Sequence, residues 1–174
     1  MNYEYDYNHF PLAYLITLRC YGTRLHGDEK SAVDRHGYNV YGTARRDTNL
    51  KLENMMREEM KQKPFVYSDS QRKIVEEAIT EVCKYRDYDL KALNVRSNHV
   101  HAVVSAQIKP ELIIDSFKSY ATRKLRRNFM IGNDTKVWAR GRSRRYLWKP
   151  QQVALAIEYV LYGQGDIIAD LNID

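Results

Sequence analysis

The chain has 174 residues, with 28 lysines and arginines against 22 aspartates and glutamates and a net charge of +6. That length fits one domain, residues 1–174, able to bury a core without disulfides or structural metals, and its basic balance favours a polyanionic partner. Two cysteines, Cys20 and Cys83, are too few for a disulfide framework or a four-cysteine zinc site and point to a reducing cytoplasm.

The tyrosine-rich start, residues 1–10, lacks the basic end and apolar run of a signal peptide. No stretch approaches the roughly 20 apolar residues that cross a bilayer, so a soluble protein without a membrane partner is expected. Residues 12–20 are apolar, aromatic and β-branched and end at Tyr21-Gly22, which predicts a buried first strand and a turn. From 23 to 65 the periodicity is lost, a long insertion in which residues 50–63 could carry a short helix. Ser68 to Gln71 then forms a capping signature ahead of Ile74, Ala78, Ile79 and Val82, an apolar stripe at helical spacing.

Two strand-like runs, 88–95 and 100–106, flank the polar turn Arg96-Ser97-Asn98 and should pair antiparallel. Pro110 stands where a first helical residue is expected, ahead of Ile113, Phe117, Ala121 and Leu125. A loop from 132 to 149 closes on the strand-like Tyr146-Leu147-Trp148, and Pro150 opens a last helix that buries Val153, Ile157 and Val160 and stops at Gly163. The order strand, helix, strand, strand, helix, strand predicts an α+β fold. It is the ferredoxin-like βαββαβ sandwich with an antiparallel sheet, here with an extra C-terminal helix.

His99 and His101 flank Val100 near the start of a strand. Side chains at i and i+2 share a face, so both imidazoles can converge on one point, a metal-ligand geometry, while Val100 turns to the core. A pair of this kind also lines many exposed sheet faces with no metal at all.

The run Asn94-Val95-Arg96-Ser97-Asn98-His99-Val100-His101 resembles the single-tyrosine HUH transposases, which include the REP-associated tyrosine transposases and insertion-sequence transposases. In that family a strand carries His, a bulky hydrophobic residue and His, commonly after Asn. The likeness continues over residues 11–166, through Tyr-Gly-Thr at 21–23, the segment around Lys118 to Arg123, Arg145-Tyr146-Leu147-Trp148, and the final helix with Glu158-Tyr159-Val160-Leu161-Tyr162-Gly163-Gln164.

The resemblance implies a metal-dependent endonuclease that nicks and rejoins single-stranded DNA through a 5'-phosphotyrosine. Tyr159 is its nucleophile, and His99, His101 and Gln164 hold a divalent cation, magnesium or manganese. It also implies hairpin-forming element ends as the DNA partner and a possible homodimer. The chain departs from the family where the helical ligand usually stands, four residues after the tyrosine, because that position is Gly163.

Tyr162, one turn further on, and Tyr120, among basic residues, remain competing nucleophiles. Lys118, Arg123, Arg126, Arg127, Arg140, Arg142, Arg144 and Arg145 form a basic stretch suited to phosphates, with Trp138, Tyr146 and Trp148 available for stacking on bases. Two other readings stay open: a domesticated nucleic-acid-binding protein that keeps the fold without cleavage, and a metal hydrolase that uses His99, His101 and a further ligand such as His26.

Overall fold

The structure, a computed structural model, describes residues 10–25 and 49–163. Strand β1, Ala13–Arg19, alternates strictly. Tyr14, Ile16 and Leu18 enter one apolar cluster, and Ala13 and Leu15 enter another on the opposite face. After Gly22, whose positive φ of 67° admits the turn, the chain re-enters the described region at helix α1, Leu50–Glu58. A Cβ at Gly22 would run into the Met60 methyl. The segment after α1 rejoins the end of the sheet, where Phe65 N donates to Tyr21 O and Tyr67 N to Ser97 O. Residues 26–48 of the predicted insertion, His26 among them, lie outside the described residues.

Helix α2, Asp69–Arg86, starts as its capping signature predicts: Ser68 accepts from Gln71 N while the Gln71 side chain accepts from Ser68 N. It ends at Asp87, which takes the left-handed conformation that a short polar residue tolerates. Strands β2, Asp89–Val95, and β3, His99–Ser105, form the expected antiparallel pair. A register shift between Leu90 and Ala92 was not legible in the sequence. It has a clear cause: Leu90 and Leu93 are an odd number of residues apart, and the irregularity lets both pack on the same core. Asn94 is thereby turned to the other face.

Helix α3, Pro110–Arg127, carries proline in its first turn and buries Ile113, Ile114, Phe117, Ala121 and Leu125. Strand β4 covers Ser143–Leu147, starting earlier than residues 146–148, because its pairing with β1 extends from Ala13–Leu147 to Thr17–Ser143. Helix α4, Pro150–Tyr162, follows.

The sheet order is β2-β3-β1-β4, all neighbours antiparallel. With α2 and α3 on one face, β1-α2-β2-β3-α3-β4 is the ferredoxin-like unit, and α4 crosses the other face. Under α2 and α3 lies the larger core, built from β1, β3 and both helices. Under α4 lies a smaller cluster of Ala13, Leu15, Ala92, Val103, Leu147, Ala156 and Val160. Val153 and Ile157 pack against its rim, half-buried. No helix among the described residues is long and apolar enough to cross a membrane.

Candidate active site

The small cluster under α4 covers only part of its sheet face. Continuing the alternation from Leu15 and Val103, the strands bring Thr17, Arg19, His99 and His101 to that face beyond the apolar patch. Cross-strand pairing fixes their neighbours: His99 lies opposite Arg19, and His101 opposite both Thr17 on β1 and Asn94 on β2. The two imidazoles stand 4.6 Å apart between centroids, edge to face.

Both rings are held by their Nδ1 atoms. His99 Nδ1 lies 2.6 Å from Asn98 Oδ1, an atom that can only accept, so Nδ1 carries the proton and Nε2 keeps its lone pair. His101 Nδ1 lies 2.9 Å from the Thr17 hydroxyl, which can accept in the same way. Orientation of a ligating imidazole through its second nitrogen is the usual support for a metal site. Burial pushes His99 down to about 4, with Arg19, Arg96 and Arg24 adding to the shift. Burial also pushes His101 down to about 3, with His99, Arg19 and Arg96 adding. The pair is therefore neutral at pH 7, the state in which imidazole binds a cation.

Helix α4 delivers the tyrosine. The Tyr159 ring sits 5.4 Å from the His101 ring, at an interplanar angle of 71°. Asn94 Nδ2 donates to Val160 O at 2.9 Å, satisfying one of the carbonyls that a helix end leaves open and tying the last turn of α4 to β2. Arg19, opposite His99, and Arg145, opposite Leu15, share this face of the sheet. Burial lowers both guanidiniums from their ordinary value, Arg24 lowers Arg19 further, and Tyr159 partly offsets the shift in each.

Gly163 ends the helix in an extended conformation, its N–H donating to Tyr159 O at 3.0 Å. A Cβ there would lie 2.8 Å from Tyr159 Cα and O and 3.0 Å from Tyr159 Cδ2, so this position is closed to any side chain as the turn stands. Gln164 lies outside the described residues. Among the described residues no group of three or more His, Cys, Asp and Glu side chains could hold a metal ion.

The other tyrosines are placed differently. Tyr162 is 80% exposed. Tyr120, on α3, belongs to the opposite side of the sheet, beneath the Arg123 guanidinium at 4.5 Å.

The basic stretch is divided by its partners. Only Arg145 is tied to the tyrosine face. Lys118 Nζ donates to the carbonyls of Ala139 and Gly141, anchoring the loop before β4. Arg142 grips both oxygens of Asp115 at 3.0 Å, Arg144 pairs with Glu111 at 2.8 Å, and Arg126 donates to Asn133 O. Arg123, Arg127 and Arg140 remain exposed. The Trp138 indole donates to Lys118 O and the Thr122 hydroxyl, whereas Tyr146 and Trp148 are stacked on each other, half-exposed, at 6.3 Å.

Sequence reasoning did not single out Thr17, Arg19 or the tether made by Asn94. The available signal was the pair of polar residues ending an otherwise apolar strand in phase with Leu15.

Residues 48–155 match the family model described as IS200-like transposase, and the chain belongs to that family. The matched span contains His99 and His101 and stops short of Tyr159. A solved structure of a REP-associated tyrosine transposase bound to a REP hairpin is similar at 10% identity. The similarity covers 92% of this chain and 70% of that one, with a TM-score of 0.48. No curated protein matches the chain.

Proposed function

We propose that this transposase nicks and rejoins single-stranded DNA at hairpin-forming element ends, with Tyr159 as nucleophile and His99, His101 and Gln164 as the ligands of magnesium or manganese. The observation that carries this reading is the contact of the Tyr159 ring with His101, on a face where two neutral imidazoles stand 4.6 Å apart between centroids.

A phosphodiester resists attack because its anionic oxygens repel a nucleophile. A divalent cation, when bound, neutralises those oxygens and orients the phosphorus. Two nitrogens and an amide oxygen leave coordination positions open for phosphate oxygens, and such mixed ligation is compatible with manganese or magnesium under cellular supply.

Tyr159 Oη attacks phosphorus as its O–H proton passes to solvent water, which also supplies the proton for the leaving oxygen. The Tyr159 O–P bond forms, the P–O3' bond breaks, and the departing 3'-oxygen takes a proton. The product is a 5'-phosphotyrosine and a free 3'-hydroxyl, and the same steps in reverse rejoin a strand without ATP because the ester bond is conserved. Arg145 would bind the backbone beside the tyrosine. Exposed Arg123, Arg127 and Arg140 would contribute salt-dependent affinity elsewhere.

Closure of the Gly163 position to a side chain favours a second reading, a DNA-binding protein that has lost cleavage. Incubating the protein with a hairpin oligonucleotide and manganese separates the two. Nicking predicts a covalent protein–DNA species that Tyr159→Phe reduces by at least about 10³-fold without loss of DNA binding. Binding with no such species in the wild type supports the second reading.

A further inference from the structure

Arg19 differs from the four arginines that the fold neutralises with carboxylates. Arg57 and Arg72 pair with Glu53 and Asp69 along their own helices, and Arg142 and Arg144 pair with Asp115 and Glu111. Arg19 is half-buried at the end of β1, and among the described residues no carboxylate pairs with it. Its cross-strand partner is His99, and the strand phase that turns Thr17 toward His101 turns Arg19 to the same face.

The charged side chain acting on it among the described residues is a second guanidinium, Arg24. Arg24 and burial both press the guanidinium down from its ordinary value, while the Tyr159 phenol acts the other way. Arginine does not escape such a site by losing its proton. A half-buried cation beside another cation is stabilised when an anion joins it. An anion that relieves it would come to the face of the sheet under α4, where Arg19 stands opposite His99 and Tyr159 meets His101.

We propose that Arg19 is a catalytic residue of this site: its guanidinium binds the non-bridging oxygens of the scissile phosphodiester and holds the phosphorus against Tyr159 Oη. This rests on the nicking reaction proposed above. Arginine suits the task because its planar fork meets two phosphate oxygens at once, and its charge is in place before negative charge builds on them. Arg19 neither gives nor takes a proton. Bond making at Tyr159 Oη, bond breaking at O3' and both proton movements stay as written above.

Stability and rate should move independently. In single-turnover cleavage of a hairpin oligonucleotide with manganese, Arg19→Met is expected to slow covalent adduct formation by about 10²–10³-fold. Its melting temperature should be equal to or above that of the wild type, because a half-buried cation that no carboxylate among the described residues pairs with is gone. Arg19→Lys should recover only part of the rate, since an ammonium restores the charge without the fork. Inorganic phosphate, tens of millimolar, should raise the wild-type melting temperature by about 2–4 °C and leave Arg19→Met unmoved.

An adduct formed by Arg19→Met at the wild-type rate would overturn the assignment. So would a melting temperature that falls by several degrees, which marks a structural arginine. If the wild type forms no adduct at all, the nicking reading fails and the phosphate titration alone decides Arg19. A phosphate effect lost in Arg19→Met then keeps the anion site, and one that persists removes it.

Discussion

The two faces of the sheet are built from alternate residues of the same strands, yet they serve opposite purposes. On the α2–α3 side, Tyr14, Ile16, Leu18, Val100, Ala102 and Val104 meet Val75, Ile79, Ile113, Phe117 and Leu125 in one continuous apolar layer. On the α4 side, Ala13, Leu15 and Val103 give way within two residues to Thr17, Arg19, His99 and His101. A strand can do both because its side chains alternate with period two. The large core supplies rigidity, and the strand ends on the thin side hold polar and charged groups that would be unaffordable inside the core.

The sharpest way to break this contrast is to damage the thick face alone. Phe117→Ala should cost about 3–5 kcal/mol in urea unfolding. Manganese affinity at the histidine pair should be unchanged wherever the variant is still folded.

Damage to the thin face should do the reverse. His101→Ala removes one of two imidazoles and is expected to weaken manganese binding by about 10²-fold in calorimetric titration. Its stability should hold, since the ring is half-buried beside His99 at the cost of part of its hydration. Asn94→Ala joins the two measurements. Loss of the amide that donates to Val160 O should cost about 1 kcal/mol, and hydrogen exchange in the last turn of α4 should quicken. The smallest effect belongs to Tyr162→Phe. At 80% exposure it should shift stability by less than about 0.5 kcal/mol and leave adduct formation at the wild-type rate.

Much of this architecture was readable from residues alone, for local reasons. The capping box at Ser68 and Gln71, the proline starts of α3 and α4 and the alternation of β1 and β3 depend on neighbours within a turn or a strand. The face shared by His99 and His101 follows from the same alternation.

What escaped was set by register. Thr17, Arg19 and Asn94 reach the histidine pair only through pairing between strands far apart in sequence, and Asn94 does so only after the irregularity at Leu90 and Ala92. The partners of the basic stretch are set in the same way. Counted along the chain it is one patch, but Asp115, Glu111 and the carbonyls of Ala139 and Gly141 take up Arg142, Arg144 and Lys118. Arg19, outside that stretch, stands opposite His99 instead.

The account depends on imidazoles and phenol sharing one cation, so the most direct measurement is a crystal soaked in manganese with anomalous data collected at its absorption edge. It predicts one peak bonded to Nε2 of both His99 and His101, with Tyr159 Oη turned toward it and a side-chain oxygen from residue 164 completing the protein ligands. A peak elsewhere, or a metal on the histidines with the Tyr159 hydroxyl pointing away, would contradict it.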